Sequence, residues 1–224
     1  MDALINVNGN SVQSLEILFL TTAIMLLPSL LVMMSSFTRY VISFSFLRTA
    51  LGTQQSPPNI VLIGLSLFLT FFTMAPALDE IKETAYEPYV AQEISQEQFV
   101  ERAQIPLKDF MLRNTKPGTL RMFCDLGKIS LPEDDEALET VAQKLPLRVI
   151  VPSFMTCELQ AAFMIGLLLY LPFLLIDVVV SSTLMAMGMV MLPPAMISMP
   201  FKLLLFVSVN GWELLFSSLI QGFK

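Results

Sequence analysis

Histidine is missing altogether from the 224 residues, which removes the commonest general base and the commonest metal ligand together. Cysteine is nearly missing too, with Cys124 and Cys157 the two present. Two thiols without further soft ligands do not make a metal site. They could form one disulfide in an oxidising compartment. Nothing in the sequence brings them within bonding distance, so two unpaired thiols is the preferred reading. Basic residues are outnumbered, 13 Lys and Arg against 19 Asp and Glu, for a net charge of −6. Phosphate binding needs a basic face and none is visible, so nucleic acid is excluded as a partner. No nucleophile and base can be paired, so the chain reads as no enzyme, and no cofactor is implied.

Charge of either sign is scarce, at 14% of residues against about 25% in an ordinary soluble domain. What takes its place is apolar: 54% of the chain, with mean hydropathy +0.68. The few charges are also crowded together, 23 of 32 falling between Asp79 and Arg148. Three regions follow: a first hydrophobic helical block over 15–78, a polar helical insert over 79–148, and a second hydrophobic block over 149–223. The first residues, Met1 to Asn10, are polar and lack the basic start of a cleavable signal peptide.

In the first block, Leu15–Met34 is long enough to span the hydrocarbon core, which takes about 20 residues of helix. Pro28 predicts a kink inside it. Ser35–Leu51 is amphipathic and carries Arg39 and Arg48, Gly52–Asn59 reads as a turn, and Asn59–Leu78 is a second span ending near Pro76. In the insert, Asp79–Arg113 reads as amphipathic helix, Asn114–Gly118 and Leu131–Asp134 as turns, and Asp134–Lys144 as a short acidic helix. Phe110, Met111, Leu112, Leu120, Phe123 and Leu126 are its apolar anchors, enough for a small packed lobe. Val149–Leu192 is twice the length of one crossing, either one long helix or a hairpin broken near Pro172. Met191–Pro200 holds Pro193, Pro194 and Pro200 and is expected to be irregular. Phe201–Phe223 reads as a last apolar helix. With Arg39 and Arg48 in a loop between two spans, that loop is expected to face the cytoplasm and the insert the other side.

Glu158, Asp177, Lys202 and Glu213 are the charges that such hydrophobic blocks should have excluded. A charge at the bilayer centre costs at least about 2.5–3.5 kcal/mol, so these residues are expected to pair or to line a wet path. A proton or ion relay is one reading. Interhelical pairing, with Lys202 held by Asp177 or Glu158, is the preferred one. Two functional classes stay open on residues alone: a pore-forming subunit of a membrane assembly, and a small secondary transporter or ion channel. The second would favour paired inverted repeats, and none links 15–78 to 149–223.

Three stretches are more specific. They are Arg39–Pro58, with Arg-Tyr-Val-Ile-Ser-Phe-Ser-Phe-Leu-Arg at its start; Glu158-Leu-Gln-Ala-Ala-Phe163; and the run from Leu171 through Met187-Gly-Met-Val-Met-Leu-Pro-Pro194 and Met199-Pro-Phe-Lys202 to Gly211-Trp212. Together they resemble the FliP family of bacterial flagellar export-gate proteins, over about residues 15–222. The stretch Phe110-Met-Leu-Arg-Asn-Thr115 resembles the flagellar rather than the virulence type III secretion branch. The resemblance implies an all-α protein of membrane-associated helical hairpins and proline-broken helices, assembled as a ring of five copies. It implies FliQ, FliR, FlhB and other export-apparatus proteins as partners, unfolded flagellar proteins as cargo, contact with membrane lipid, and a place in the flagellar basal body at the inner membrane, with the insert in the periplasm. It also implies that Met187, Met189 and Met191, in the Met/Pro-rich loop near 185–200, seal the resting pore.

Overall fold

A computed structural model describes residues 4–7 and 10–13, scattered positions between 18 and 29, and then 32–129, 144–189 and 191–223. The span expected over Leu15–Met34 with its Pro28 kink, the turn at Leu131–Asp134 and the acidic helix from Asp134 lie outside the described residues, except for a few positions. Among those described, the protein is helical apart from one antiparallel hairpin of β1 (Leu4–Val7) and β2 (Asn10–Gln13).

Helix α1 (Phe37–Leu51) stops at Gly52, which sits at φ +76 and returns its N–H to the Thr49 carbonyl. That left-handed conformation is cheap for glycine alone. After the expected turn, α2 (Asn59–Ile81) does not end near Pro76. It runs through the proline, then through a wider turn at Lys82–Tyr86 into α3 (Glu87–Val90), 32 residues without a break. A single proline forfeits one backbone bond, and the apolar helix formers on both sides carry the helix past it. The stretch read as one helix over Asp79–Arg113 is therefore two. The chain turns at 91–95 and restarts as α4 (Gln96–Arg113), where Ser95 accepts from the Gln98 N–H and Gln98 reaches back to the Ser95 N–H. This reciprocal cap satisfies two donors that a helix start otherwise leaves open. Helix α5 (Pro117–Leu126) begins inside the expected turn, because proline is at home in the first turn.

Helix α6 (Leu147–Ala186) settles the second block's ambiguity: 40 residues pass through both Pro152 and Pro172 as one helix. At 1.5 Å per residue it is about 60 Å long. The last apolar segment is not one helix. Helix α7 (Pro194–Ser208) and α8 (Gly211–Gln221) meet at 65°. Asn210 takes the left-handed conformation at φ +52, and a Cβ on Gly211 would stand 2.3 Å from the Phe206 ring. The corner exists because a residue without a side chain lets that ring close over it.

Two cores form. In one, Phe110 and Met111 of α4 and Leu120 and Cys124 of α5 pack on Val149, Ile150 and Phe154 at the start of α6, with Met74 and Ala77 of α2. Leu126, expected among the anchors, points outward and is 73% exposed. In the other, Tyr40, Phe44 and Leu47 of α1 meet Phe173 of α6, Phe206 of α7, and Leu215 and Leu219 of α8. By length and composition the continuous helix of α2 and α3, and α6, can each cross a membrane, and the bent pair α7–α8 passes as a third. Their outer faces are apolar and uncovered, with Phe68, Phe71 and Phe72 on α2 and Leu167, Leu168, Leu171 and Leu175 on α6.

Where α1 crosses α6, Gly166 faces Phe46, and a Cβ there would lie 2.5 Å from the ring. Gly166→Ala is expected to destabilise the protein by about 1–3 kcal/mol through this overlap. Phe46→Leu in the same chain should recover most of the loss, as read by thermal unfolding in detergent.

Candidate functional site

Helix α1 holds the two buried charge clusters together, one at each end. Near its start, Arg39 donates from Nε to Glu158 Oε2 at 2.8 Å and from Nη2 to Oε1 at 2.6 Å. Its Nη1 donates to the Gly222 carbonyl at 2.8 Å, and the Phe223 ring lies 3.6 Å under the guanidinium. Arg39 is 5% exposed and Glu158 fully buried. Forked, charge-assisted bonds and an aromatic face are the surroundings in which a guanidinium tolerates burial. Beside it the Tyr40 hydroxyl bonds to Thr73, so α2 joins the same knot.

At the other end of α1, Lys202 donates to Asp177 Oδ2 at 2.6 Å and to the Ala50 carbonyl at 3.0 Å. Ala50 lies in the last turn of α1, where unpaired carbonyls carry partial negative charge and attract a cation. Ser198 donates from Oγ to the second carboxylate oxygen, Asp177 Oδ1, at 2.6 Å. Of the two acids considered for Lys202, Asp177 is in contact and Glu158 is not, because Arg39 occupies both of its oxygens. Glu213 stands apart from both clusters, exposed in the first turn of α8, where a carboxylate suits the positive end of the helix.

The stretch carrying Arg39 and Arg48 is helix α1 and not the loop expected there. Arg39 is buried, and Arg48 is half-buried, donating to Asn59 and so bracing the turn after α1. A buried, paired arginine cannot reach headgroups, so Arg48 alone is left as a marker of sidedness.

The methionines lie where α6 passes into α7. Helix α6 unwinds at Met187, Gly188 takes φ +75, and the Met189 N–H bonds back to the Leu184 carbonyl. Among the described residues the irregular backbone lies at 187–189 and 191–193, and helix resumes inside the 191–200 stretch expected to be irregular. Pro193 precedes the helix in extended conformation, but Pro194 is the first residue of α7 and Pro200 lies within it. Proline in a first helical turn sacrifices no bond and Pro200 forfeits one, which is why three prolines in ten residues break so little. Met187, Met189 and Met191 are 70%, 43% and 97% exposed. Among the described residues, Met191 is left almost bare, Met187 largely so, and Met189 is about half covered.

Sequence reasoning missed the Arg39–Glu158 pair, Ser198, and the role of Gly222 and Phe223. The first carried a signal, since two opposite charges sat in otherwise apolar stretches. The others act through a hydroxyl, a carbonyl and a ring, which no charge count reveals. Cys124 and Cys157 are both free and buried, and Cys157 Sγ accepts from the Lys116 N–H at 3.3 Å. Burial pushes the Cys124 thiol up, and the Asp125 charge adds to that shift. Among the described residues no three Cys, Asp or Glu side chains gather as a metal site.

Removing one member of the Arg39–Glu158 pair leaves the other charge buried. Arg39→Ala is expected to cost about 3–5 kcal/mol, while Arg39→Met with Glu158→Leu should cost far less. Unfolding of the single and double variants in detergent checks this, and equal losses would contradict it. The folded chain should also resist alkylation at Cys124 across neutral pH, a raised thiol being protonated and inert there.

The sequence profile described as FliP family matches residues 20–219. A flagellar biosynthetic protein FliP of Aquifex aeolicus is 49% identical over 216 residues, covering 96% of this chain and 88% of its own length. The protein of that name from Pectobacterium carotovorum is 50% identical over 210 residues, 94% and 79%. That from Bacillus subtilis is 46% identical over 214 residues, 96% and 94%. Agreement at nearly every second position across almost the whole length makes this chain a member of the FliP family.

Proposed function

We propose that this protein is a pore-forming subunit of the flagellar type III protein export gate, through which unfolded flagellar proteins cross the bacterial inner membrane. It acts as five copies in a ring with FliQ and FliR, adjoining FlhB and other export-apparatus proteins, with the polar insert on the periplasmic side. Family membership supports the export role. The feature that carries the pore reading is the loop of 187–189 and 191–193, three thioethers set out on irregular backbone, with Met187 and Met191 largely exposed.

Irregular backbone at membrane depth is tolerated where it is buried in protein or lines a cavity. One such loop per subunit, repeated around an axis, would make a collar of flexible uncharged side chains. Thioethers can meet across the axis without water and part around a passing chain. The bare outer faces of α2 and α6 fit the same reading, since lipid and neighbouring subunits would cover them. A small transporter or channel built on the buried charges is less well supported. Arg39 with Glu158 and Lys202 with Asp177 are neutralised within the chain.

Two measurements test this. The detergent-extracted complex is expected to weigh several times the monomer, and a lone monomer would overturn the ring. Replacing Met187, Met189 and Met191 together by alanine should leave the complex assembled and raise its resting ion conductance. An assembled variant no leakier than the parent would reduce the methionines to packing.

A further inference from the structure

Helices α6 and α7 flank the methionine loop, and the polar contact between them is the group Asp177, Ser198 and Lys202. Asp177 lies nine residues before α6 ends, and Ser198 lies four residues into α7. Among the described residues the loop between is lightly packed, with Met187 and Met191 largely exposed and Met189 about half covered. Its direction is therefore set by how the two helices are registered.

The two donors to Asp177 are unlike in stiffness. Lys202 reaches it through four rotatable carbons and could follow the carboxylate through a slide of α7 along α6. Ser198 has one rotatable bond and a staggered set of positions, and it is 1% exposed. A 2.6 Å bond from so short a side chain ties the backbone of α7 to the carboxylate directly. Losing it leaves Asp177 paired with Lys202, so the charge stays neutral while the register is freed.

We propose that Ser198 is a positioning residue for the methionine loop: its hydroxyl, by holding the second oxygen of Asp177, fixes α7 against α6 and so sets where the thioethers stand. This rests on the reading of the loop as the seal of the resting pore. Lys202 neutralises; Ser198 aligns.

The test is potassium flux from liposomes holding the full extracted complex at rest. Ser198→Ala should assemble and leak about tenfold more than the parent, the factor expected from one lost hydrogen bond to a charged group. Ser198→Thr, which keeps the hydroxyl, should stay near the parent. Ser208→Ala, which removes a hydroxyl bonded among the described residues to its own helix at Leu204, should also stay near the parent. An assembled Ser198→Ala complex as tight as the parent overturns the proposal, and so does a Ser198→Thr complex as leaky as the alanine variant. If Ser198→Ala does not assemble, Ser198→Cys keeps the volume with a weak donor and is read by the same two outcomes. The triple methionine variant runs beside them. A tight triple variant overturns the seal and this inference with it, whereas a leaky triple beside a tight Ser198→Ala overturns this inference alone.

Discussion

Cations taken out of water must be fully provided with acceptors, and that requirement ties this chain together. Arg39 draws on Glu158, 119 residues away, and on Gly222, 183 residues away, while Lys202 reaches back 152 residues to Ala50. Each bond crosses most of the sequence, so neither cation is satisfied until the first and second hydrophobic blocks have met. The apolar contacts between α1 and α6 are non-directional and would tolerate slippage. Two charged clusters at the two ends of α1 would not. Whether such pairs add net stability depends on the cost of drying them, but they leave one arrangement in which no charge is stranded.

The sequence was a good guide wherever composition alone decides. The crowded charges, the helical character, the turn at Gly52 and the oddity of Glu158, Asp177 and Lys202 were visible without coordinates. It was a poor guide to proline. Pro76, Pro172 and Pro200 lie inside helices, because each removes one bond from a ladder that neighbours keep intact. Pro194 starts a helix for the same missing N–H. The real break falls at Asn210, where a left-handed asparagine and a glycine under an aromatic ring turn the chain. No apolar pattern announces that. Partner choice was half legible: the charges could be picked out, but the competition that gave Glu158 to Arg39 and Asp177 to Lys202 is a matter of three-dimensional reach.

The second core blurs the line between blocks, and the first does so more. Phe110 of the insert touches both Phe154 of α6 and Phe223 behind α8, and Phe223 in turn lies under Arg39. A polar stretch that composition sets apart is thus bolted by rings to the buried arginine, and a disturbance of either reaches the other through direct contact.

The uninterrupted run of α6 has a geometric outcome of its own. At about 60 Å it is roughly twice the hydrocarbon thickness of about 30 Å, so a crossing near the bilayer normal would use only about half of it. Its first turns are gripped by the core of α4 and α5, and its last turn releases the thioethers. An unbroken helix of fixed length between those two points works as a gauge. The distance of the methionines from the lobe is set by the length of this helix and owes nothing to the thickness of the bilayer.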